Sequence, residues 1–243
     1  MSKTPKILVF QHLAIEHPGV FRDFLAEDGI AWDAVELGEG GEIPPFEGYD
    51  ALWVMGGPQD TWQEEEFPWL TPEKQAIRRW LEETTKPVFG LCLGHQLLAE
   101  ALGGKVGPAP DPEVGLYSVE MTEAGKNSPF LKGMPETTEC LQWHGASVLE
   151  VPPSVDVLMQ SPLCPINAIG FEKRAIGIQY HVEIEPVTVR AWAEVPAYKG
   201  ALEKVLGEGA LDDLDAKVTP KIGGFNAQAR QLYDNFMEIV RGG

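Results

Sequence analysis

The sequence predicts a three-layer α/β fold, with a mostly parallel central sheet flanked by helices and a small antiparallel extension. Three observations carry this expectation. Short aliphatic or β-branched runs alternate with helical-looking stretches through the first hundred residues, as in successive βα units. The runs Lys6-Ile-Leu-Val-Phe and Lys86-Pro-Val-Phe-Gly-Leu are apolar throughout rather than at every second position, which suits strands buried on both faces. Beyond Glu113 the pattern changes to short strands broken by Gly and Pro, which reads as an antiparallel segment.

In chain order, residues 7–10 read as a strand at the sheet centre and 20–27 as a helix. Residues 33–37 read as a second strand. Residues 51–55 form a third, followed by a helix over 72–83, and 88–91 a fourth, also central, followed by a helix over 95–102. In the extension, strands are expected at 116–121, 155–160, 168–172 and 176–180. After Glu185 helices are expected at 187–194, 198–206 and 226–240, the last carrying Ala229, Leu232, Tyr233, Phe236 and Val240 at helical spacing. The Gly223-Gly224 pair reads as a helix boundary. With no repeat or long linker, residues 1–243 are expected to form one domain, 185–243 being C-terminal helices packed on its core.

Composition narrows the function. The formal charge of -18 would repel a polyphosphate backbone, and no Lys/Arg cluster interrupts it, so no nucleic acid is expected as a partner. The run Glu64 to Glu66, beside Trp62, Phe67, Pro68 and Trp69, reads as a surface loop with a few packed aromatics. No apolar run approaches the roughly 18 residues of a membrane span, and the N-terminus lacks a signal-peptide core, so no membrane partner and a cytoplasmic location are expected. Three cysteines without framework spacing fit reduced thiols.

One of those thiols is framed for chemistry. Gly90-Leu91-Cys92-Leu93-Gly94 joins a buried strand to a helix, with the Gly-x-nucleophile-x-Gly spacing of a nucleophile elbow. Glycines suit such a turn because neighbouring backbone crowds it and a positive φ can be needed. The positive end of the following helix and a histidinium both favour a thiolate, while N–H groups at the turn face the oxygen of an attacked carbonyl. With 26 glycines in 243 residues, chance frames one of three cysteines this way with a probability of about 0.03. The frame alone therefore leaves a buried structural cysteine open as an alternative.

A cysteine nucleophile needs a base, and the base needs a group that fixes its tautomer. His181 follows the expected strand at 176–180, and Glu183 lies two residues on, on the same face if the chain stays extended. The other histidines read differently. His12 and His17 fall in the first loop, where solvent-facing or capping roles are expected. His95 is expected to point away from the elbow, and His144 is a rival base with no carboxylate nearby in sequence until Glu150. No His/Cys cluster has metal-ligand spacing, so neither a metal nor a cofactor is expected.

Together these segments resemble the class I, triad-type glutamine amidotransferase family. Gly90-Leu-Cys-Leu-Gly-His-Gln96 is similar to its nucleophile motif, Gly177-Ile-Gln-Tyr-His-Val-Glu183 to its His-x-Glu motif, and Met55-Gly-Gly-Pro58 to its oxyanion loop, in family order. The resemblance implies a flavodoxin-like fold and a catalytic triad of Cys92, His181 and Glu183. It implies an oxyanion hole from the backbone of Gly57 and Leu93, and glutamine held by Gln96 and the backbone around Gly145 and Ala146. Two departures stand out. Val182 occupies a position where the family commonly has proline, which shapes only the backbone. Ala146 stands where members with Gln-Trp-His-Gly-Asp carry aspartate, which bears on substrate recognition.

Three functions are compatible with this reading. The first is a glutamine amidotransferase that delivers ammonia to a separate synthetase subunit, since about sixty residues after Glu183 leave no room for a synthetase and no Gly-rich phosphate loop is present. The second is a γ-glutamyl peptidase or hydrolase, in which only the leaving amine differs. The third is a non-enzymatic module using Cys92 as a redox sensor.

Overall fold

The computed structural model describes residues 4–242. Its centre is a nine-stranded sheet in the order β2-β1-β3-β4-β9-β8-β7-β5-β6. Strands β1 (Lys6–Gln11), β2 (Ala31–Glu36), β3 (Ala51–Val54), β4 (Val88–Leu91) and β9 (Ala175–Ile178) pair in parallel. Strands β8 (Ala168–Phe171), β7 (Asp156–Gln160), β5 (Lys105–Met121) and β6 (Thr137–Glu150) extend the sheet antiparallel. The predicted α/β layers, with an antiparallel extension, are therefore observed.

The uniformly apolar strands have the physical consequence expected of them. Because side chains alternate across a strand, Ile7 and Val9 of β1 and Trp53 of β3 face one apolar cluster, while Leu8, Phe10, Leu52 and Val54 face another. The first cluster is roofed by α1 (Phe21–Glu27) and the long α8 (Ile222–Val240). There Phe236 meets Trp53 and Phe89, with ring centroids 6.0 and 5.9 Å apart. The second cluster is roofed by α2 (Leu70–Glu83) and α3 (Leu93–Ala101), with Trp80 and Leu97 fully buried in it. A short α4 (Glu123–Lys126) lies against β7. Helices α5 (Thr188–Ala193), α6 (Pro196–Leu206) and α7 (Leu211–Val218) follow β9.

Three differences from the sequence expectation have physical causes. Strand β5 begins at Lys105, although Pro108, Pro110 and Pro112 suggest a loop. The prolines are tolerated because the register with β6 breaks between Pro108 and Glu113, and β7 pairs only with Glu120 and Met121 at the far end. Strand β6, not anticipated, is the sheet's edge and carries Gln142 to Ala146. Strand β9 ends at Ile178 instead of reaching Tyr180. Beyond it, His181 exchanges hydrogen bonds with Leu141 of β6, its N–H donating at 2.8 Å and its carbonyl accepting at 3.1 Å. Gly223 and Gly224 fall in the first turn of α8, at the boundary where they were expected.

Candidate active site

Parallel strands β1, β3, β4 and β9 end on one edge of the sheet, and the residues that follow them are His12, Met55 to Gly57, Cys92, and Gln179 to His181. In an open α/β sheet, ligands bind outside the carboxyl ends of the strands.

Cys92 occupies the turn between β4 and α3 with φ 53° and ψ −105°, a conformation costing a non-glycine residue on the order of 1–3 kcal/mol. The turn is held from both sides. The Cys92 N–H donates to the Ile178 carbonyl at 2.8 Å, and the Cys92 carbonyl accepts from the Gln96 N–H at 3.2 Å. The flanking glycines serve close approach rather than positive φ, which falls on Cys92 itself. A Cβ on Gly94 would lie 1.9 Å from the Val54 carbonyl oxygen, and one on Gly90 2.4 Å from that of Gly94.

His181 is buried, its Nδ1 2.7 Å from Glu183 Oε1. The other Glu183 oxygen accepts the Val182 N–H at 3.0 Å. Burial alone would lower the His181 pKa. The Glu183 charge, together with hydrogen bonds to Cys92 and Glu183, outweighs it and raises the pKa well above the usual imidazole value. A ring held protonated beside a sulfur is the arrangement a thiolate–imidazolium pair requires. Trp192 of α5 packs edge-on against the imidazole, with centroids 4.7 Å apart.

The residues expected to hold an oxyanion and a substrate line one cavity of about 170 Å³: Gly57, Leu93, Gln96, Gly145 and Ala146, with Cys92 among them. That is the order of the ~150 Å³ void that admits a benzene-sized molecule, so the cavity suits a small side chain rather than a folded segment. Among the described residues, no protein acceptor takes the Gly57 or Leu93 N–H. Two donors are therefore free in the cavity that Cys92 lines. A larger hollow of about 930 Å³, between residues 43–47 and α2, contains no cysteine or histidine.

The remaining residues singled out from the sequence find specific partners. Gln96 Nε2 donates to the Ala146 carbonyl at 3.1 Å and to Gln179 Oε1 at 3.0 Å, so its amide braces the cavity wall. His144, the rival base, is engaged elsewhere. Its Nε2 lies 3.1 Å from Glu113 Oε2, a carboxylate distant in sequence, and its Nδ1 donates to the Ala146 carbonyl at 2.9 Å. Glu113, His144 and buried Cys164 bring potential metal-ligand atoms within 4.8 Å of one another, but both histidine nitrogens already have protein partners. His95 is buried beneath Gly177, and burial pushes its pKa down to about 3.

Sequence reasoning missed several residues here. Gln179 Nε2 donates to Cys92 Sγ at 3.4 Å. Glu16 is buried, accepts the Tyr198 hydroxyl at 2.6 Å and has a raised pKa, chiefly from burial. His12, expected to face solvent, is instead fully enclosed. Its Nδ1 donates to the Gly56 carbonyl at 2.7 Å, its Nε2 lies 2.8 Å from Glu73 Oε1, and Trp69 stacks on it at 5.1 Å. The available signal for His12 was its place immediately after a central parallel strand.

Comparison with known proteins identifies the family. Residues 31–190 match the model of the family described as glutamine amidotransferase class-I. This chain belongs to the class I glutamine amidotransferase family. It is 31% identical over 180 residues to the glutamine amidotransferase-like protein YfeJ of Salmonella typhimurium, covering 71% of this chain and 73% of that protein. It is 38% identical over 104 residues to a subunit of the glutamine-hydrolyzing GMP synthase of Pyrococcus abyssi, across 42% of this chain and 54% of that relative. The match thus spans about half the length of that relative. Similarity to gamma-glutamyl peptidase 4 of Arabidopsis thaliana is 28% over 169 residues, 68% of this chain and 66% of that one. The solved structure of a glutamine amidotransferase from Thermotoga maritima superimposes with a TM-score of 0.85 at 28% identity, over 97% of this chain and 99% of that one. Among the described residues, no helix is long and apolar enough to cross a membrane.

Proposed function

We propose that this chain is a cysteine-dependent amidohydrolase that takes glutamine as substrate. The observation that carries this reading is a strained Cys92 that lines one small cavity together with Gly57 and Leu93, whose N–H groups have no protein acceptor, and that hydrogen-bonds His181, itself held by Glu183. The Cys92 thiolate attacks the side-chain amide carbon. The developing oxyanion is received by the N–H groups of Gly57 and Leu93, a contribution of about 10²–10³ in rate per donor. His181, held as imidazolium by Glu183, gives its proton to the departing nitrogen, and ammonia leaves as the γ-glutamyl thioester forms. Neutral His181 then takes a proton from water, whose oxygen attacks the thioester. Glutamate departs, and the sulfur and imidazolium are restored. A redox sensor would need neither the His181–Glu183 pair nor the free donors.

The similarity to a GMP synthase subunit from Pyrococcus abyssi supports delivery of the ammonia to a synthetase carried on a separate chain. A second reading, hydrolysis of γ-glutamyl peptides or amides, draws on two observations. Ala146 supplies no carboxylate at the cavity, and Ala197, Tyr198 and Ala201 of α6 close one wall of it with the chain's own residues. The similarity to gamma-glutamyl peptidase 4 points the same way. The test is release of ammonia and glutamate from glutamine, beside release of amine from γ-glutamyl dipeptides, by the chain and by Cys92→Ala. Turnover lost in the variant supports the nucleophile, and the preferred substrate separates the two readings. Turnover that survives Cys92→Ala would exclude both.

A further inference from the structure

The proposed oxyanion donor Gly57 lies in a run of two glycines, the backbone least able to hold its own peptide planes. Something outside the loop must fix it. The Gly56 carbonyl and the Gly57 N–H belong to one planar peptide unit and point in opposite directions, so whatever fixes the carbonyl aims the N–H. The Gly56 carbonyl accepts a hydrogen bond from His12 Nδ1 at 2.7 Å. The far side of that ring is held 2.8 Å from Glu73 Oε1 by α2, and its face is stacked on Trp69. His12 and Glu73 are 1% and 0% exposed. A carbonyl can only accept, so Nδ1 carries a proton. The Glu73 carboxyl at Nε2 supplies the partner for a second.

We propose that His12 and Glu73 form a positioning pair that locks the Gly56–Gly57 peptide with its N–H aimed at the oxyanion formed above Cys92. This rests on the amidohydrolase reading above. The pair touches no reacting atom and acts through the peptide. Two further contacts support the assignment. A Cβ on Gly57 would lie 3.1 Å from His12 Cβ and 2.8 Å from Leu93 Cδ2, so the loop is pressed between the clamp and the second proposed donor. Donation into the carbonyl also polarises the peptide and strengthens the N–H as a donor. A histidine–carboxylate pair buried at the end of β1 thus gains a purpose that burial alone does not give it.

The experiment compares His12→Ala, His12→Asn and His12→Gln. The Asn amide nitrogen can stand where Nδ1 stands and donate to Gly56, whereas the Gln amide nitrogen stands near Nε2 and faces Glu73. With the substrate the wild type turns over, His12→Ala is expected to lower kcat by about 10²-fold, the size of one lost oxyanion donor, with KM within about threefold. His12→Asn should recover most of that loss, and His12→Gln should not. Alkylation of Cys92 by iodoacetamide, a displacement at saturated carbon that makes no oxyanion, should change little in all three. A crystal structure of His12→Ala should show the Gly56–Gly57 peptide rotated or disordered, and that of His12→Asn should show it restored. Alkylation falling in step with turnover, or an undisturbed peptide with unchanged kcat in His12→Ala, would overturn the clamp. Should His12→Ala not fold, His12→Ala with Glu73→Gln removes the ring without stranding a buried carboxylate. If the wild type hydrolyses no γ-glutamyl amide, the functional reading fails, yet the peptide's position in the His12→Ala crystal still decides the clamp.

Discussion

Gln179 and Cys92 are joined by a hydrogen bond, the side-chain amide of Gln179 donating to the Cys92 sulfur at 3.4 Å. The same glutamine accepts from Gln96 at 3.0 Å, and Gln96 in turn donates to the Ala146 carbonyl on β6. A chain of amides therefore ties Cys92 to the far wall of the cavity. Hydrogen bonds to a charged acceptor contribute about 1.5–3 kcal/mol. Replacing Gln179 with Leu is expected to lower kcat/KM on the preferred substrate by at least about tenfold, and to slow iodoacetamide alkylation of Cys92 at pH 7 as well. Unchanged alkylation in the variant would show that this contact does not support the thiolate.

The pH dependence follows from His181. Burial pulls its pKa down, but the Glu183 charge and hydrogen bonds with Cys92 and Glu183 outweigh burial and carry it well above the ordinary imidazole value. The imidazolium proposed to protonate the leaving nitrogen is therefore lost only as pH rises through the raised value. The alkaline limb of kcat/KM is expected above the ~6.5 of a free imidazole, and Glu183→Gln should move it toward lower pH while reducing kcat. The same shift has a stability counterpart. The folded form holds the His181 proton more tightly, so this contribution is full below ~6.5 and fades as pH rises through the folded value. An alkaline limb unmoved in Glu183→Gln would assign it to another group.

The elbow makes a prediction about folding rather than catalysis. The 1.9 Å approach of a Gly94 Cβ to the Val54 carbonyl is a clash with backbone, which cannot turn aside. Gly94→Ala should therefore destabilise the chain by at least the ~1–3 kcal/mol typical of overpacking. At this length that lowers Tm by roughly 2–12 °C. Gly223→Ala offers a matched control, since a Cβ there meets nothing within 4 Å. Equal melting temperatures for the two variants would contradict the packing argument.

Much of this site was legible in the sequence, because its parts sit at strand ends that composition marks. The apolar runs before Met55 and Cys92 locate two of those ends, and the Gly-x-Cys-x-Gly frame and the His181–Glu183 spacing mark the residues proposed for the chemistry. What stayed hidden depends on pairs distant in the chain. His12 finds Glu73 sixty-one residues away, and His144 finds Glu113 across the β5–β6 pairing. Neither partner can be read without the topology. Strand β6 was missed for a related reason. Its Gln142-Trp-His-Gly-Ala146 run mixes polar residues into positions that the structure buries through side-chain hydrogen bonds, so no alternation of apolar and polar residues marks it as a strand.

The most direct lever on substrate choice is Ala146. It lines the cavity beside Gln96 and Gly145, and its carbonyl accepts from both Gln96 and His144, so the backbone there is fixed while the side chain is only a methyl. A carboxylate at this position would face a small cavity that already holds Cys92 and could pair with the free α-ammonium of glutamine. Such a charge-assisted contact is worth about 1.5–3 kcal/mol, or roughly ten- to a hundredfold in affinity. Ala146→Asp is therefore expected to lower KM for free glutamine by about tenfold or more. It should change KM less for a γ-glutamyl amide whose α-amino group is acetylated, since that substrate offers no cation. Steady-state kinetics on the two substrates separate specific recognition from general improvement. Equal shifts for both would mean that the new carboxylate does not reach the ammonium, and that substrate selection lies on the α6 wall formed by Ala197, Tyr198 and Ala201.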